Sequence, residues 1–342
     1  MNILKQTHAC LGVVAVVSLL ALSACGGGGD GGSTASSSPS SGSGSSNSGG
    51  GSTSPTPPAT TGNVPNPQYG SSTVELAMFN AINTARTTCG FNALTENTIL
   101  DKAAAAHASY MIQNGGKVTD TETTGQPGYT GASYADRAVA AGFPSSVYLG
   151  GESAGFYTNA TLSNGQYGAN IVNEWLTGVY HIAVAVWPVN EIGVGQAQQS
   201  FNGFPNVMAS NTIANLTTTP GNLPLTYPCE GVTGAPYEEA GESPTPPNVS
   251  GAYGTPVAVA GNPTDKITLS SGTMTDTQGN VITLQVLNSA TDPNKLLPAF
   301  EAVAYPANPL QPNVKYSVTL NGTYNGQPFT RTFSFTTGNS IA

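Results

Sequence analysis

Hydrophobic and polar positions follow three different rhythms along this chain. Leu11 to Leu22 is an apolar stretch broken only by Ser18 and preceded by Lys5. That length fits a signal-peptide core, because a lasting membrane span needs about 20 apolar residues. From Gly26 to Tyr69 there is no apolar rhythm, only Gly, Ser, Thr, Pro and Asn with few exceptions. Such a segment buries too little to offset its ordering entropy. A helical period then takes over. Leu76, Phe79 and Ile82 recur within Thr73 to Arg86, at spacing that lines one helix face. Leu94 to Asn114 predicts a second helix, with Leu100, Ala104, Ala108 and Met111 on one face and Gly115-Gly116 to stop it. Tyr134 to Ala141 predicts a third helix, and Ala169 to Tyr180 a fourth striped by Ile171, Trp175 and Val179. Short strands are expected at Ala183 to Val186, Glu191 to Gln196 and Asn206 to Ala209.

Beyond a Pro- and Glu-rich stretch the period falls to two. Pro256 to Val259, Ile267 to Ser270, Val281 to Leu287, Phe300 to Tyr305, Tyr316 to Leu320 and Phe329 to Phe335 read as strands. Asn325-Gly326 marks a hairpin turn between the last two. The resulting plan is a signal peptide (1–24), a disordered tether (25–70), a helix-and-strand domain (71–235), an extended connector (236–246) and an all-β sandwich (247–342). Helices followed by strands suggest α+β layering in the first domain. The turn spacing of the second suggests an immunoglobulin-like sandwich. That sandwich holds no histidine, no cysteine and no acid cluster, so no chemistry is expected there.

Composition narrows the setting. Leu22-Ser23-Ala24-Cys25 resembles the lipobox of bacterial lipoprotein signal peptides, which implies a lipid on Cys25. Gly26 at the next position, by the same resemblance, favours outer-membrane sorting. The expected location is therefore extracytoplasmic, anchored to the outer membrane through that lipid. The tether would have a span of roughly 35–40 Å. Cys10 leaves with the signal, so Cys89 and Cys229 remain, and in an oxidising compartment they are expected to pair. A formal net charge of −9 leaves no electrostatic footprint for nucleic acid or anionic lipid.

An ordered set of short motifs runs through residues 71–235: Asn83-x-x-Arg86 with Gly90, the Ala-rich second helix, Pro127 to Ser133, Asp136-Arg137, Gly151-Glu152, Trp175 with His181 six residues later, and Ile192-Gly193-Val194-Gly195. This set resembles the CAP superfamily (cysteine-rich secretory, antigen 5 and pathogenesis-related proteins) in its bacterial branch. The resemblance implies an α/β/α sandwich. It also implies a cleft lined by two histidines and two acids, which in some members binds a divalent cation.

Carried over by position, Glu152 matches the first acid and His181 the second histidine. Asp120 stands where the first histidine is expected, and Gly178 where the second acid would be. With one imidazole missing, Glu152 and His181 are expected to hydrogen-bond each other as a structural remnant. The alternative is a weakly held divalent cation on His181, Glu152 and Asp120; no other cofactor is implied. His107 falls on an apolar helix face and reads as a satisfied core histidine. Gly151-Glu152-Ser153-Ala154-Gly155 spells a nucleophile-elbow motif, but that elbow needs a strand before the serine and a helix after it. The reading favours a lipid-anchored binding module for an envelope component or a small apolar, lipid- or sterol-like ligand. Two alternatives stand beside it: a hydrolase using Glu152 and His181 with a metal or with Ser153, and a purely structural or adhesion protein.

Overall fold

The computed structural model describes residues 60–342. The signal peptide, Cys10, Cys25 and the tether up to residue 59 lie outside the described residues.

The first half is built on one sheet between two helical layers. Its elements are α1 (Val74–Thr88), β1 (Thr95–Glu96), α2 (Thr98–Gln113), α3 (Tyr134–Ala141), β2 (Leu149–Tyr157), α4 (Asn164–Thr177), α5 (Val179–Ala185), β3 (Val189–Phe201) and β4 (Phe204–Leu216). The sheet order is β1-β3-β4-β2, parallel only between β1 and β3. Strand alternation divides β4 between the layers. Val207, Ala209 and Ile213 join a core with Met78, Ile171 and Trp175 from α1 and α4. On the other face Ala214 packs with Leu100 and Ala138, and Met208 with Ala108 and Met111. The glycines of Ile192-Gly193-Val194-Gly195 explain the close seating of α2. A Cβ on Gly193 would collide with the Leu100 and Asp101 backbone, and one on Gly195 with Ala105.

The second half comprises β5 (Leu225–Tyr227), β6 (Thr233–Ala235), β7 (Val257–Ala260), β8 (Ile267–Thr275), β9 (Val281–Thr283), β10 (Gln285–Asn288), β11 (Glu301–Tyr305), β12 (Lys315–Tyr324) and β13 (Gln327–Thr337). Two sheets, β10-β11-β7-β5 and β6-β13-β12-β8-β9, face each other. Asn325 and Gly326 both take positive φ, 51° and 79°, as the tight β12–β13 hairpin requires.

Several expectations are corrected. The ordered chain begins before residue 71: Tyr69 donates to Asp101 at 2.7 Å, and the Gln68 amide bonds Glu96. The second helix starts at Thr98, not Leu94, because Asn97 caps it and Thr95–Glu96 pair with β3. Ala183 to Val186, expected as a strand, closes helix α5 instead; a short apolar run carries no decisive period. The fourth helix is two, α4 and α5, broken at Gly178 with φ −67° and ψ 142°. The Val281–Leu287 stretch splits where Leu284 passes between sheets, β9 pairing with β8 and β10 with β11.

The boundary between the halves also moves. β5 and β6, placed by sequence in the first domain, pair with β7 and β13 of the sandwich. The Cys89–Cys229 disulfide forms, with Cα atoms 5.5 Å apart. It therefore ties the end of α1 to the sandwich rather than joining two ends of one domain. β7 and β11 are buried along their whole length. Val257, Val259, Ala302 and Ala304 face the opposing sheet, whereas Ala258, Ala260, Val303 and Tyr305 join the core containing α5. Burial on both faces is why these strands read as continuous apolar runs. Trp187 donates to Glu301 at 2.9 Å across the same interface. The connector, expected to be extended, packs against the rest of the chain: Glu239 pairs with Tyr253, and Glu239 and Glu242 are buried. Among the described residues no helix is long and apolar enough to cross a membrane.

Candidate functional site

Strand β2 is the outer strand of its sheet, and it carries the sequence-predicted acid and serine on successive positions. They therefore point to opposite faces. Glu152 pairs in register with Asn211, whose Nδ2 donates to Glu152 Oε1 at 2.8 Å. Glu152 is 1% exposed, and its Oε2 has no partner. Ser153 pairs with Ser210 on the α2–α3 side, where it meets Tyr134 Oη at 2.7 Å. Tyr134 in turn donates to Asp120 Oδ1 at 2.6 Å, so the Ser153 hydroxyl donates to Tyr134. Ser153 lies inside a strand of nine residues, so the strand-to-helix elbow its motif suggested does not form.

His181 sits in α5, whose N-cap Gly178 supplies no side-chain cap. The cap comes from the connector. Glu242 accepts from the backbone amides of Val179 (2.8 Å), Tyr180 (2.9 Å) and His181 (3.0 Å), and His181 Nδ1 lies 2.9 Å from its Oε1. The hydroxyl of Tyr253, from the sandwich half, adds a fifth contact at 3.2 Å. Glu152 and His181 were expected to hydrogen-bond each other. They do not: Glu152 is held by Asn211 and His181 by Glu242.

Residues 79–211 match the model of the cysteine-rich secretory protein family, CAP. This region is a CAP domain. No curated protein matches the chain. Several motifs that carried the resemblance prove to be architectural in this CAP domain. Asn83 brackets Leu94 through its amide and carbonyl, at 2.7 and 3.1 Å. The Arg86 guanidinium is fully buried and donates to the carbonyls of Asn92, Ala185, Trp187 and Val189. His107 is a core histidine, its Nε2 2.7 Å from the Thr119 carbonyl and its Nδ1 2.9 Å from Glu122.

The cation expectation meets a poor donor set. Asp120 is engaged by Tyr134 and Glu152 by Asn211, and the other histidine among the described residues, His107, is committed to Glu122 and the Thr119 carbonyl. Among the described residues no three His, Cys, Asp or Glu side chains are grouped so as to hold a metal ion. The residues present do not fit one.

Protonation completes the picture. Burial pushes the Glu152 carboxyl up to about 8, with Asp120 and Glu242 adding to the rise and His181 and Asn211 opposing it. Burial alone would lower His181, but Glu242, Glu152 and Asp120 outweigh it and lift the ring to about 10. Glu174 and Glu239 are both raised by burial. At neutral pH Glu152 is thus a buried neutral carboxyl and His181 an imidazolium, and neither is a free base. Sequence reasoning missed Glu242, Asn211 and Tyr134. The one available signal for Glu242 was a glycine where an acid belongs, combined with a connector rich in carboxylates.

Proposed function

We propose that this is a lipid-anchored, extracytoplasmic CAP-domain binding protein whose cleft takes a hydrogen-bonding oxygen of an envelope component. One observation carries the reading: the buried Glu152 carboxyl keeps Oε2 without any protein partner. A buried polar atom without a partner costs about 1–3 kcal/mol, and a ligand's polar group would recover that cost. Further support comes from the chemistry available. With Ser153 directed to the opposite face and donating to Tyr134, the cleft offers donors rather than a nucleophile and base. A small lipid- or sterol-like ligand is the narrower form of the same reading, entering through its hydroxyl end. The lipid on Cys25 would hold the cleft at the outer membrane.

The test uses the mature, lipidated chain. Solubilised protein is incubated with isolated envelope material, washed, and the retained molecules are identified by mass spectrometry. Wild type should retain a defined component, and Glu152→Ala should retain about tenfold less. Equal retention by both proteins would sink the proposal. Cys25→Ala should release the protein from membranes; persistent membrane association without fatty-acid labelling would remove the anchor from it.

A further inference from the structure

Gly178 occupies the place of a cleft acid and is itself too confined to be one. A Cβ there would meet Glu242 Oε1 and His181 Nδ1, so the side chain of Glu242 fills the space a residue at 178 would have used. Glu242 lies 61 residues beyond His181, on the connector that leads into the sandwich. Its carboxylate is fixed by three backbone amides and the Tyr253 hydroxyl, so it cannot turn away from the ring. The carboxylates that face His181 are those of Glu242 on the connector, Glu152 on β2 and Asp120 on the loop before α3, with the imidazole also felt by Glu174 of α4 and Glu239. Only Glu242 makes contact with it through Nδ1.

We propose that Glu242 is the positioning residue of the cleft: its carboxylate, in ion-pair contact with Nδ1 of His181, sets the ring so that Nε2 serves the ligand, in the space that a side chain at 178 would otherwise fill. This rests on reading the cleft as a ligand site. It makes the docked connector, and through Tyr253 the sandwich half, part of the binding machinery rather than a spacer. A carboxylate against Nδ1 fixes the orientation of the protonated ring and leaves its Nε2–H as the outward donor.

Long-range proton–nitrogen NMR of the isotope-labelled mature chain tests the assignment without any ligand. In wild type, His181 should carry a proton on each ring nitrogen, the one on Nδ1 with the low-field resonance of a proton shared with a carboxylate. In Glu242→Gln that resonance should disappear and the ring should give up its second proton at a lower pH than in wild type, while Glu242→Asp should retain part of both properties. Retention of envelope material should fall about tenfold in Glu242→Gln, with no further loss on adding His181→Ala. A wild-type ring lacking the Nδ1 proton overturns the proposal even if the variant does not fold. An unchanged ring in Glu242→Gln overturns it as well. If wild type retains nothing from the envelope, the ligand reading fails, and the ring measurement still decides the role of Glu242.

Discussion

Two buried carboxylate–histidine contacts of the same length, 2.9 Å from Nδ1 to Oε1, occur in this molecule. His107–Glu122 is closed. The ring is fully buried, its Nε2 faces the Thr119 carbonyl, and Glu122 also accepts from the amides of Thr130 (2.5 Å) and Gly131 (3.2 Å). Those contacts fasten the long loop after α2 back onto the helix that starts it. His181–Glu242 is open. Its ring is 20% exposed, its Nδ1 is in ion-pair contact with Glu242, and among the described residues Nε2 meets no partner. Proximity of a histidine to an acid is common to both and so marks neither as functional. The distinguishing feature is the second ring nitrogen, satisfied in one pair and available in the other.

The largest expected effect falls on the closed pair. His107→Ala removes a fully buried ring, opens a cavity in the core and leaves the Thr119 carbonyl unpaired, changes that together typically cost about 3–5 kcal/mol. Urea unfolding should show that loss, with ligand retention by the folded fraction unaffected. A cost below about 1 kcal/mol would mean the loop does not depend on the pair.

The next effect in size concerns Glu152, and its sign can be worked out. The folded-state value is raised from 4.5 to about 8, so the folded protein holds a proton that the unfolded chain releases. Its favourable contribution is complete below 4.5 and is lost as pH rises through about 8. Glu152→Gln, which keeps a neutral group of similar shape, should remove this alkaline loss. At pH 7 the gain over wild type should be on the order of 3 kcal/mol. Parallel stability–pH curves for the two proteins would contradict the buried neutral carboxyl.

How much of this was legible in the sequence differs between the two halves for a physical reason. The helices α1, α3 and most of α2 follow from apolar spacing and caps, and the β12–β13 hairpin from Asn325-Gly326. Pattern fails where one element serves two partners. The apolar runs of β7 and β11 were read as ordinary sandwich strands, although unbroken burial is what a strand between two cores requires. Glu301, inside the predicted Phe300 to Tyr305 strand, is fully buried and bonds Trp187 of the other half. At the cleft, Glu152 and His181 were found because local motifs surround them. Glu242 was not, since its role exists only once the connector folds back across α5. The serine motif misled because Gly-x-Ser-x-Gly says nothing about whether the chain turns after the serine, and here it continues as strand.

The smallest stability effect, and the one that best separates the pairs, belongs to His181→Ala. Glu242 would keep its three amides and the Tyr253 hydroxyl, so no buried carboxylate is stranded. The partly exposed ring also loses less on removal than a core residue does. The expected cost near neutral pH is smaller than that of His107→Ala and comes from the ion pair with Glu242 rather than from packing. Its pH dependence should have a definite direction. The ring is lifted from 6.5 to about 10, so its stabilising contribution is complete below 6.5 and is lost as pH rises through about 10. Wild type and His181→Ala should therefore converge in stability at strongly alkaline pH, whereas burial lowers His107 and gives that ring the opposite sense. Retention of envelope material should meanwhile fall about tenfold in His181→Ala. A variant that loses as much stability as His107→Ala, yet retains its ligand, would reverse the assignment of the open and closed pairs.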